Sequence, residues 1–174
     1  MFCGLLLGCG SGGGVHTGGG TGCIALGSIN GQRTDGQYTS GSFEYTSAGG
    51  FSAPTDPSDL LGMEVIWTNQ GTATGVTIPS TRNLATEGSY FQCDFCATLR
   101  RGCTAGGSCT GGTYLATSGT MSVTAAPRTT SGTFSGTLSG TIRFDEWNLQ
   151  TDMPMAPNRC FTLSSGSITA TVAP

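Results

Sequence analysis

The chain has 174 residues and a mass of 17.6 kDa, which suits one domain with a single hydrophobic core. Only 10% of its residues are charged, all seven basic residues are arginines, and the formal net charge is −3 with a pI of about 4.8. This balance excludes the basic surface with which proteins bind nucleic acids, so we expect no nucleic-acid partner.

The chain begins with a short apolar run that ends in a cysteine. The motif Leu6–Cys9 (LLGC) resembles the lipobox of bacterial lipoprotein signal peptides. In that family the signal is cut before the cysteine, whose thiol then carries diacylglycerol. The resemblance implies that residues 1–8 are a truncated signal segment, that Cys9 is the lipid attachment site, and that the membrane is a partner through this anchor. Gly10 stands where the family uses Asp for retention in the inner membrane, so the resemblance implies an outer-membrane location.

A glycine-rich stretch follows the motif. Residues 10–22 read GSGGGVHTGGGTG, a composition typical of a coil with a root-mean-square reach of about 20 Å. We therefore expect residues 9–22 to be the lipid-anchor cysteine and its tether, and residues 23–174 to be a single β domain. The alternative is a short hydrophobic tail with a stray cysteine, since no basic residue precedes Cys9.

The pattern of the remaining residues predicts strands, because apolar and polar residues alternate and helical spacing of apolar residues is nearly absent. In Gly132–Phe144, the clearest case, Phe134, Leu138 and Ile142 share one face and hydroxyl residues share the other, which predicts one long strand. We predict Gly102–Gly112 to be a loop. Eight further segments are predicted to be shorter strands: Cys23–Ile29, Gly41–Thr46, Leu60–Trp67, Gly75–Ile78, Ser89–Phe95, Tyr114–Thr117, Gly119–Thr124 and Cys160–Val172. Together they predict an all-β fold, an antiparallel β-sandwich or jelly-roll-like arrangement stapled by disulfides.

Eight cysteines indicate an oxidising compartment. Six remain if Cys3 leaves with the signal and Cys9 carries lipid. These six are the disulfide candidates: Cys23, Cys93, Cys96, Cys103, Cys109 and Cys160. Fifteen pairings are possible, and we favour pairing within the cluster of four, with Cys23–Cys160 joining the chain ends. A zinc site and a redox-active Cys93–Cys96 pair are the alternatives, although the spacing suits zinc poorly and no helix is predicted beside the pair.

The chain as a whole is similar to predicted secreted lipoproteins of soil Gram-negative bacteria. The shared features are the lipobox, the glycine-rich spacer, a Thr/Gly-rich β domain, the four-cysteine excursion from Cys93 to Cys109 and a last cysteine near the end. This resemblance implies a location in the cell envelope, periplasmic or surface-exposed, and a fold. It implies no activity.

Residues that carry out covalent chemistry are scarce. His16 is the only histidine, and it lies in the predicted tether, where it has no fixed geometry for acid–base work. We therefore predict no catalytic residue, no cofactor and no metal. The main prediction is a non-enzymatic exported lipoprotein, an envelope-associated binding or structural module for a polysaccharide or protein ligand.

Two further interpretations use the carboxylates. Glu64 and Glu146, near Trp67 and Trp147, would suit a carbohydrate-binding or carboxylate-based polysaccharide-acting domain, because indole rings stack on sugar faces and glycosidases need a carboxyl pair. Calcium binding is a weaker alternative, since calcium takes six to eight oxygen ligands. Its candidate ligands lie in two turns: Asp56 and Asp59 in the first, and Asp145, Glu146 and Asp152 in the second.

Overall fold

The structure is a computed structural model that describes residues 22–156 and 159–173. Residues 1–8, Cys9 and His16 lie outside the described residues. The described chain forms thirteen strands and one short 3₁₀ helix, Leu84–Thr86. In chain order the strands are β1 (Ile24–Asn30), β2 (Arg33–Thr39), β3 (Glu44–Phe51), β4 (Ser58–Asn69), β5 (Thr72–Ala73), β6 (Ser80–Asn83), β7 (Phe95–Cys103), β8 (Cys109–Ala116), β9 (Thr120–Ala125), β10 (Thr133–Ser139), β11 (Ile142–Asn148), β12 (Met153–Pro154) and β13 (Cys160–Ala173).

The strands form one large mixed sheet organised around β13. On one side β13 pairs in parallel with β1 and β2, and on the other it pairs antiparallel with β10 and β11. The hydrogen-bonded neighbours form a closed path that runs from β13 through β2, β3, β4, β7, β8 and β11 and returns to β13. The strands β10, β9 and β6 extend from this path at β13. The all-β fold and its disulfides are confirmed, with two parallel pairings beside the expected antiparallel ones. A sandwich or jelly-roll arrangement stays a prediction.

The predicted strand Gly132–Phe144 is divided into β10 and β11. Both pair with β13, but Leu138 faces Gly166 whereas Ile142 faces Leu163. Three residues on one strand therefore oppose two on the other, as in a bulge. Gly140 lies there with a φ of 81°, a conformation that favours glycine.

Other segments also differ from their predictions, and no predicted strand covers β2 or β6. Residues 75–78 are irregular rather than a strand, and Ser89–Asp94 is a loop that leads into β7. The predicted loop Gly102–Gly112 is mostly strand, because β7 and β8 form a hairpin that leaves only residues 104–108 outside the ladder. The hairpin pairs residues that are close in the chain, such as Cys103 with Cys109, whereas the loop at Ser89–Asp94 is bound by Asp152, which is distant in the chain.

Alternation along β4 separates the core from the outer face. Met63, Val65 and Trp67 point inward and are buried, while Glu64 and Ile66 alternate with them and face outward. The inward residues belong to one apolar cluster of the described chain that includes side chains from most long strands. Full burial of each such side chain stabilises the fold by about 1.5–3 kcal/mol. Within the described ranges, no helix has the length and apolarity needed to span a membrane.

Candidate functional site

A cavity of about 450 Å³ opens on the outer face of β3 and β4. Its size falls within the range of about 300–1,000 Å³ that is usual for small-molecule sites. Four of its lining residues are aromatic, and one carries a carboxyl group. The lining residues are Phe43, Tyr45, Glu64, Ile66, Asn69, Gln70, Tyr90, Phe91 and Cys93. We refer to this space as the aromatic cavity.

Three parts of the chain build the aromatic cavity. Tyr45 on β3 lies opposite Ile66 on β4 in the antiparallel register, so their outward side chains are neighbours. Phe43 precedes β3 and is 47% exposed, and Phe91 is 50% exposed, so two rings stand at the solvent boundary. The third part is the loop Glu87–Asp94, which supplies Tyr90 and Phe91. We refer to it as the wall loop.

The wall loop is fixed at two places by carboxylates. Glu87, at its start, accepts through Oε2 the backbone N–H groups of Asp94 at 2.9 Å and Phe95 at 3.0 Å, where the loop ends. In its middle, Asp152 accepts the backbone N–H groups of Tyr90 at 2.8 Å and Phe91 at 3.2 Å. Charge-assisted hydrogen bonds of this kind are stronger than neutral ones. The wall loop therefore holds its aromatic residues in place without a ligand.

Asp152 also joins the wall loop to β11. Its Oδ1 accepts the indole N–H of Trp147 at 3.0 Å. Burial acts to raise the pKa of Asp152, but hydrogen bonds from Ser89, Trp147, Phe91 and Tyr90 outweigh it and hold the pKa below the usual value. The Asp152 carboxylate is thus ionised across the neutral range and organises four donors at once.

Glu64 and Tyr90 face each other across the aromatic cavity. The Tyr90 hydroxyl donates to Glu64 Oε2 at 3.1 Å. Burial raises the pKa of Glu64 above its ordinary value, against the opposing effects of that hydrogen bond and of the Arg100 charge. Burial and the neighbouring carboxyl likewise raise the pKa of the Tyr90 phenol. The cavity therefore contains a carboxyl group whose charge is only partly compensated.

Asn69 lines the cavity and holds the wall loop. Its Nδ2 donates to the Phe91 carbonyl at 2.9 Å, which ties β4 to the wall loop. Its Oδ1 is buried and has no hydrogen-bond partner among the described residues. A buried acceptor without a partner costs about 1–3 kcal/mol, so Asn69 holds the wall loop at some cost to stability.

Two shallower depressions continue from the aromatic cavity along the outer face. The first, about 140 Å³, shares Glu64 with the cavity and has Arg100 and Thr98 in its lining. The second, about 210 Å³, shares Ser47, Gly49 and Leu60 with the first. From Ile66 to Leu60 the row follows β4 for about 20 Å.

The cysteines of the described chain are consumed in three disulfides, with the pairing that we favoured from the sequence. They are Cys23–Cys160, Cys93–Cys96 and Cys103–Cys109. The four clustered sulfurs are therefore not arranged as a zinc site. Cys93 and Cys96 form a bond at the end of the wall loop and are 3% and 1% exposed. Cys9, the predicted lipid site, lies outside the described residues.

The structure does not bring the predicted carboxyl pair together. Glu64 lies on β4 and Glu146 on β11, and two strands, β7 and β8, stand between them in the sheet. Glu146 is buried and bound by Arg159, whose Nε donates to Oε2 at 2.7 Å. A glycosidase needs its two carboxyls within about 10 Å and free to act.

The tryptophans also differ from the sugar-stacking expectation. Trp67 is 6% exposed, lies in the core and donates its indole N–H to Thr46 at 2.9 Å. Trp147 is half-buried, and its indole N–H is bound to Asp152. Neither ring lines the aromatic cavity. The carbohydrate interpretation therefore loses Trp67 as a stacking surface, because alternation directs this ring into the core.

The candidate calcium ligands are engaged by arginines and backbone amides. Asp56 accepts from Arg33 at 2.6 Å, and Asp59 accepts from Arg101 at 3.1 Å. Asp145 is paired with Arg143 at 2.7 Å. With Glu146 bound by Arg159 and Asp152 by the wall loop, these five acids act as structural anchors in the described chain.

Sequence reasoning named Glu64 but missed the aromatic residues around it. These residues lie in segments that are otherwise polar: Phe43, Tyr45, Tyr90 and Phe91. Large rings in polar segments were the one sequence feature that could have indicated a binding surface. Their meeting depends on the β3–β4 register and on the anchoring of the wall loop by Asp152, which is 62 positions from Tyr90.

Comparisons with known protein families, with curated proteins and with solved structures find no significant match to this chain.

Proposed function

We propose that this protein is an exported, envelope-associated binding module that holds a small ligand in the aromatic cavity and acts by binding rather than by covalent chemistry. The observation that carries the proposal is the cavity itself: four aromatic residues surround one carboxyl group in a space of about 450 Å³. Concave sites with apolar walls and a few polar groups are the usual form of ligand pockets.

The wall loop supports this proposal, because its shape is set before a ligand arrives. Glu87 and Asp152 fix its backbone, and the Cys93–Cys96 bond closes its end. A pocket that is ordered before binding loses little further conformational freedom when the ligand binds, so less of the binding free energy is offset.

The lipobox-like motif and the three disulfides support the location. Disulfides persist in oxidising compartments outside the cytosol. Metabolic labelling with a palmitate analogue, in wild type and in Cys9→Ala, tests the anchor. Label on wild type that disappears in the variant is the expected result, and an unlabelled wild-type chain overturns the anchor.

A ligand-screening experiment tests the binding function. The ¹⁵N-labelled protein is titrated with a library of small polar and aromatic compounds, and amide shifts are mapped on the structure. Hits are expected to cluster on Glu64, Asn69 and the wall loop, and to disappear in Ile66→Trp, which fills the cavity. The proposal is contradicted if no compound shifts these residues, or if the compounds bind Ile66→Trp as well as they bind wild type.

A carbohydrate-binding module is the second candidate. The row of depressions along β4, about 20 Å long, favours it, because Ser47, Thr98 and Arg100 offer hydrogen-bonding groups beyond the aromatic end. Neutral hexasaccharides whose shifts extend from Tyr45 to Leu60 would support this candidate. Shifts confined to the aromatic cavity would favour the small ligand.

A further inference from the structure

Among the described residues, the lining of the aromatic cavity combines aromatic rings with one negative group and includes no positive group. The rings are those of Phe43, Tyr45, Tyr90 and Phe91, and the charged side chain is that of Glu64. Aromatic faces are electron-rich and attract cations, with quaternary ammonium groups as a well-established ligand class for aromatic cages. We propose that the cavity binds a small organic ammonium compound through its aromatic rings and the Glu64 carboxylate. This inference rests on the proposed function of the cavity.

The rings present suitable surfaces for such a group. Tyr90 and Phe91 have centroids 6.1 Å apart with planes tilted by 51°, so they do not stack face to face and cover each other. Phe43 and Phe91 are each about half exposed at the solvent boundary. Tyr45 adds a further ring from β3. A cation within about 6 Å of several ring centroids gains attraction from each of them.

The charge of Glu64 specifies the sign of the ligand. Within the described part of the chain, five carboxylates form ion pairs, and Glu64 is not among them. Tyr90 donates a hydrogen bond to it, and Arg100 acts on it only as a nearby charge from the adjoining depression. A partly compensated carboxylate among apolar walls favours a cation and opposes an anion.

Other ligand chemistries fit less well. A purely apolar compound would cover the Glu64 carboxylate and leave Tyr90 as its only hydrogen-bond donor, and burial of a poorly compensated charge is costly. An acidic compound would face the carboxylate and a chain with a net charge of −3. A cation with an N–H or methylated nitrogen satisfies both the rings and the carboxylate.

The test compares choline with 3,3-dimethyl-1-butanol, which has the same shape and no charge. NMR titration of the ¹⁵N-labelled protein gives both affinities and maps the site. We expect choline to bind at the cavity at least tenfold more tightly than the neutral compound. Phosphatidylcholine vesicles, set against phosphatidylglycerol vesicles, show whether a lipid headgroup or a free compound supplies the ammonium group. Both of these sources are consistent with the proposal.

Four variants separate the causes. Phe91→Ala is expected to weaken choline at least fivefold, and Glu64→Gln to reduce the preference over the neutral compound to about threefold or less. Arg100→Gln, at an exposed position, is expected to tighten choline by about twofold to threefold because it removes a nearby positive charge. Ile24→Ala, at a position 60% exposed on β1, is the control and leaves binding unchanged.

Equal binding of choline and 3,3-dimethyl-1-butanol at the cavity overturns the ammonium inference and leaves the binding function standing. A weaker affinity for choline in Arg100→Gln overturns the ammonium inference in the same way. If neither compound shifts the cavity residues and the screening library also fails there, both proposals are wrong.

Discussion

The Asp152 carboxylate accepts the backbone N–H of Tyr90 at 2.8 Å, across 62 positions of the chain. This contact connects the turn after β11 to the wall loop and thereby positions the ring that faces Glu64. Because the same carboxylate also binds the Phe91 amide and the Trp147 indole, one side chain sets the geometry of one side of the aromatic cavity. Carboxylates that accept hydrogen bonds in this way should affect the stability of the protein and the order of its loops.

Replacement of Asp152 by Ala is expected to loosen the wall loop. Four donors lose their acceptor, which we expect to lower the free energy of unfolding by about 2 kcal/mol, since these groups are only partly buried. Hydrogen exchange is the measurement: the Tyr90 and Phe91 amides lose protection, while the Asp94 and Phe95 amides, held by Glu87, keep theirs. Asp35→Ala, at an exposed position, is the matched control. Unchanged exchange at Tyr90 would contradict this role of Asp152.

The Glu64 carboxyl makes choline binding depend on pH. Burial raises its pKa above the ordinary 4.5, so its charge develops at higher pH than in an exposed glutamate. The affinity for choline should rise with pH through this raised pKa, and should stay flat over that range in Glu64→Gln. Tyr90 and Arg100 also act on this group, and burial raises the pKa of the Tyr90 phenol, so that it stays protonated in that window. A wild-type affinity that is flat from pH 4 to 8 contradicts the assignment.

The same shift predicts the opposite trend for stability without ligand. A carboxyl with a raised pKa binds more protons in the folded state than in the unfolded state, so the free energy of unfolding falls as pH rises through the folded pKa. Saturating choline should remove part of this decline, because it stabilises the ionised form. Denaturant titrations with and without choline measure both effects.

The sequence predicts those parts of the structure that depend on local interactions, and it does not predict the parts that depend on contacts between distant segments. The segment Leu60–Trp67 lies in β4 as predicted, because alternation of buried and outward residues is a local signal. The pattern of Ser89–Asp94 predicts the start of a strand, but the Asp152 carboxylate, which is distant in the chain, binds the Tyr90 and Phe91 amides and holds the segment as a loop. Glu64 is identifiable as a carboxyl candidate, whereas its aromatic surroundings depend on strand register and loop anchoring that no local pattern encodes.

Glu44 is expected to make the fold sensitive to acid. Arg128 donates to Glu44 through Nε at 2.8 Å, and Tyr38 and Thr68 donate at 2.8 and 3.0 Å. The Arg128 hydrogen bonds, more than the others, lower the pKa of Glu44 to about 2. A lowered carboxyl pKa stabilises the fold above the unfolded value near 4.5, and this contribution is lost as pH falls toward 2.

Glu44→Gln should therefore lower the free energy of unfolding at neutral pH by about 1–2 kcal/mol. This loss is small because Arg128 is exposed and solvent weakens its attraction to Glu44. Its stability should change less than that of wild type between pH 4.5 and 2. Thermal unfolding followed by circular dichroism at a series of pH values measures this. Asp35→Asn provides the control, and parallel pH curves for wild type and Glu44→Gln would refute the prediction.

The three disulfides differ in how much chain they close. Cys23–Cys160 joins residues 137 positions apart, whereas Cys103–Cys109 joins residues 6 apart at the end of the β7–β8 hairpin. In the chain-entropy account, cross-linking stabilises the fold by restricting the unfolded state, and the effect grows with the logarithm of loop length. Removal of the long-range bond should therefore cost about 3 kcal/mol more than removal of the hairpin bond.

The double variants Cys23→Ala/Cys160→Ala and Cys103→Ala/Cys109→Ala test this in matched form, since each removes one bond and leaves no free thiol from it. Guanidinium unfolding gives the two free energies. The long-range variant also removes a clamp beside the parallel pairing of Ile24 with Phe161, where β1 joins β13. If β1 exchanges rapidly in that variant while the rest of the sheet keeps its protection, the bond acts by holding β1 locally. Equal losses in the two variants would then show that native contacts, rather than the restriction of a long unfolded loop, determine what these bonds contribute.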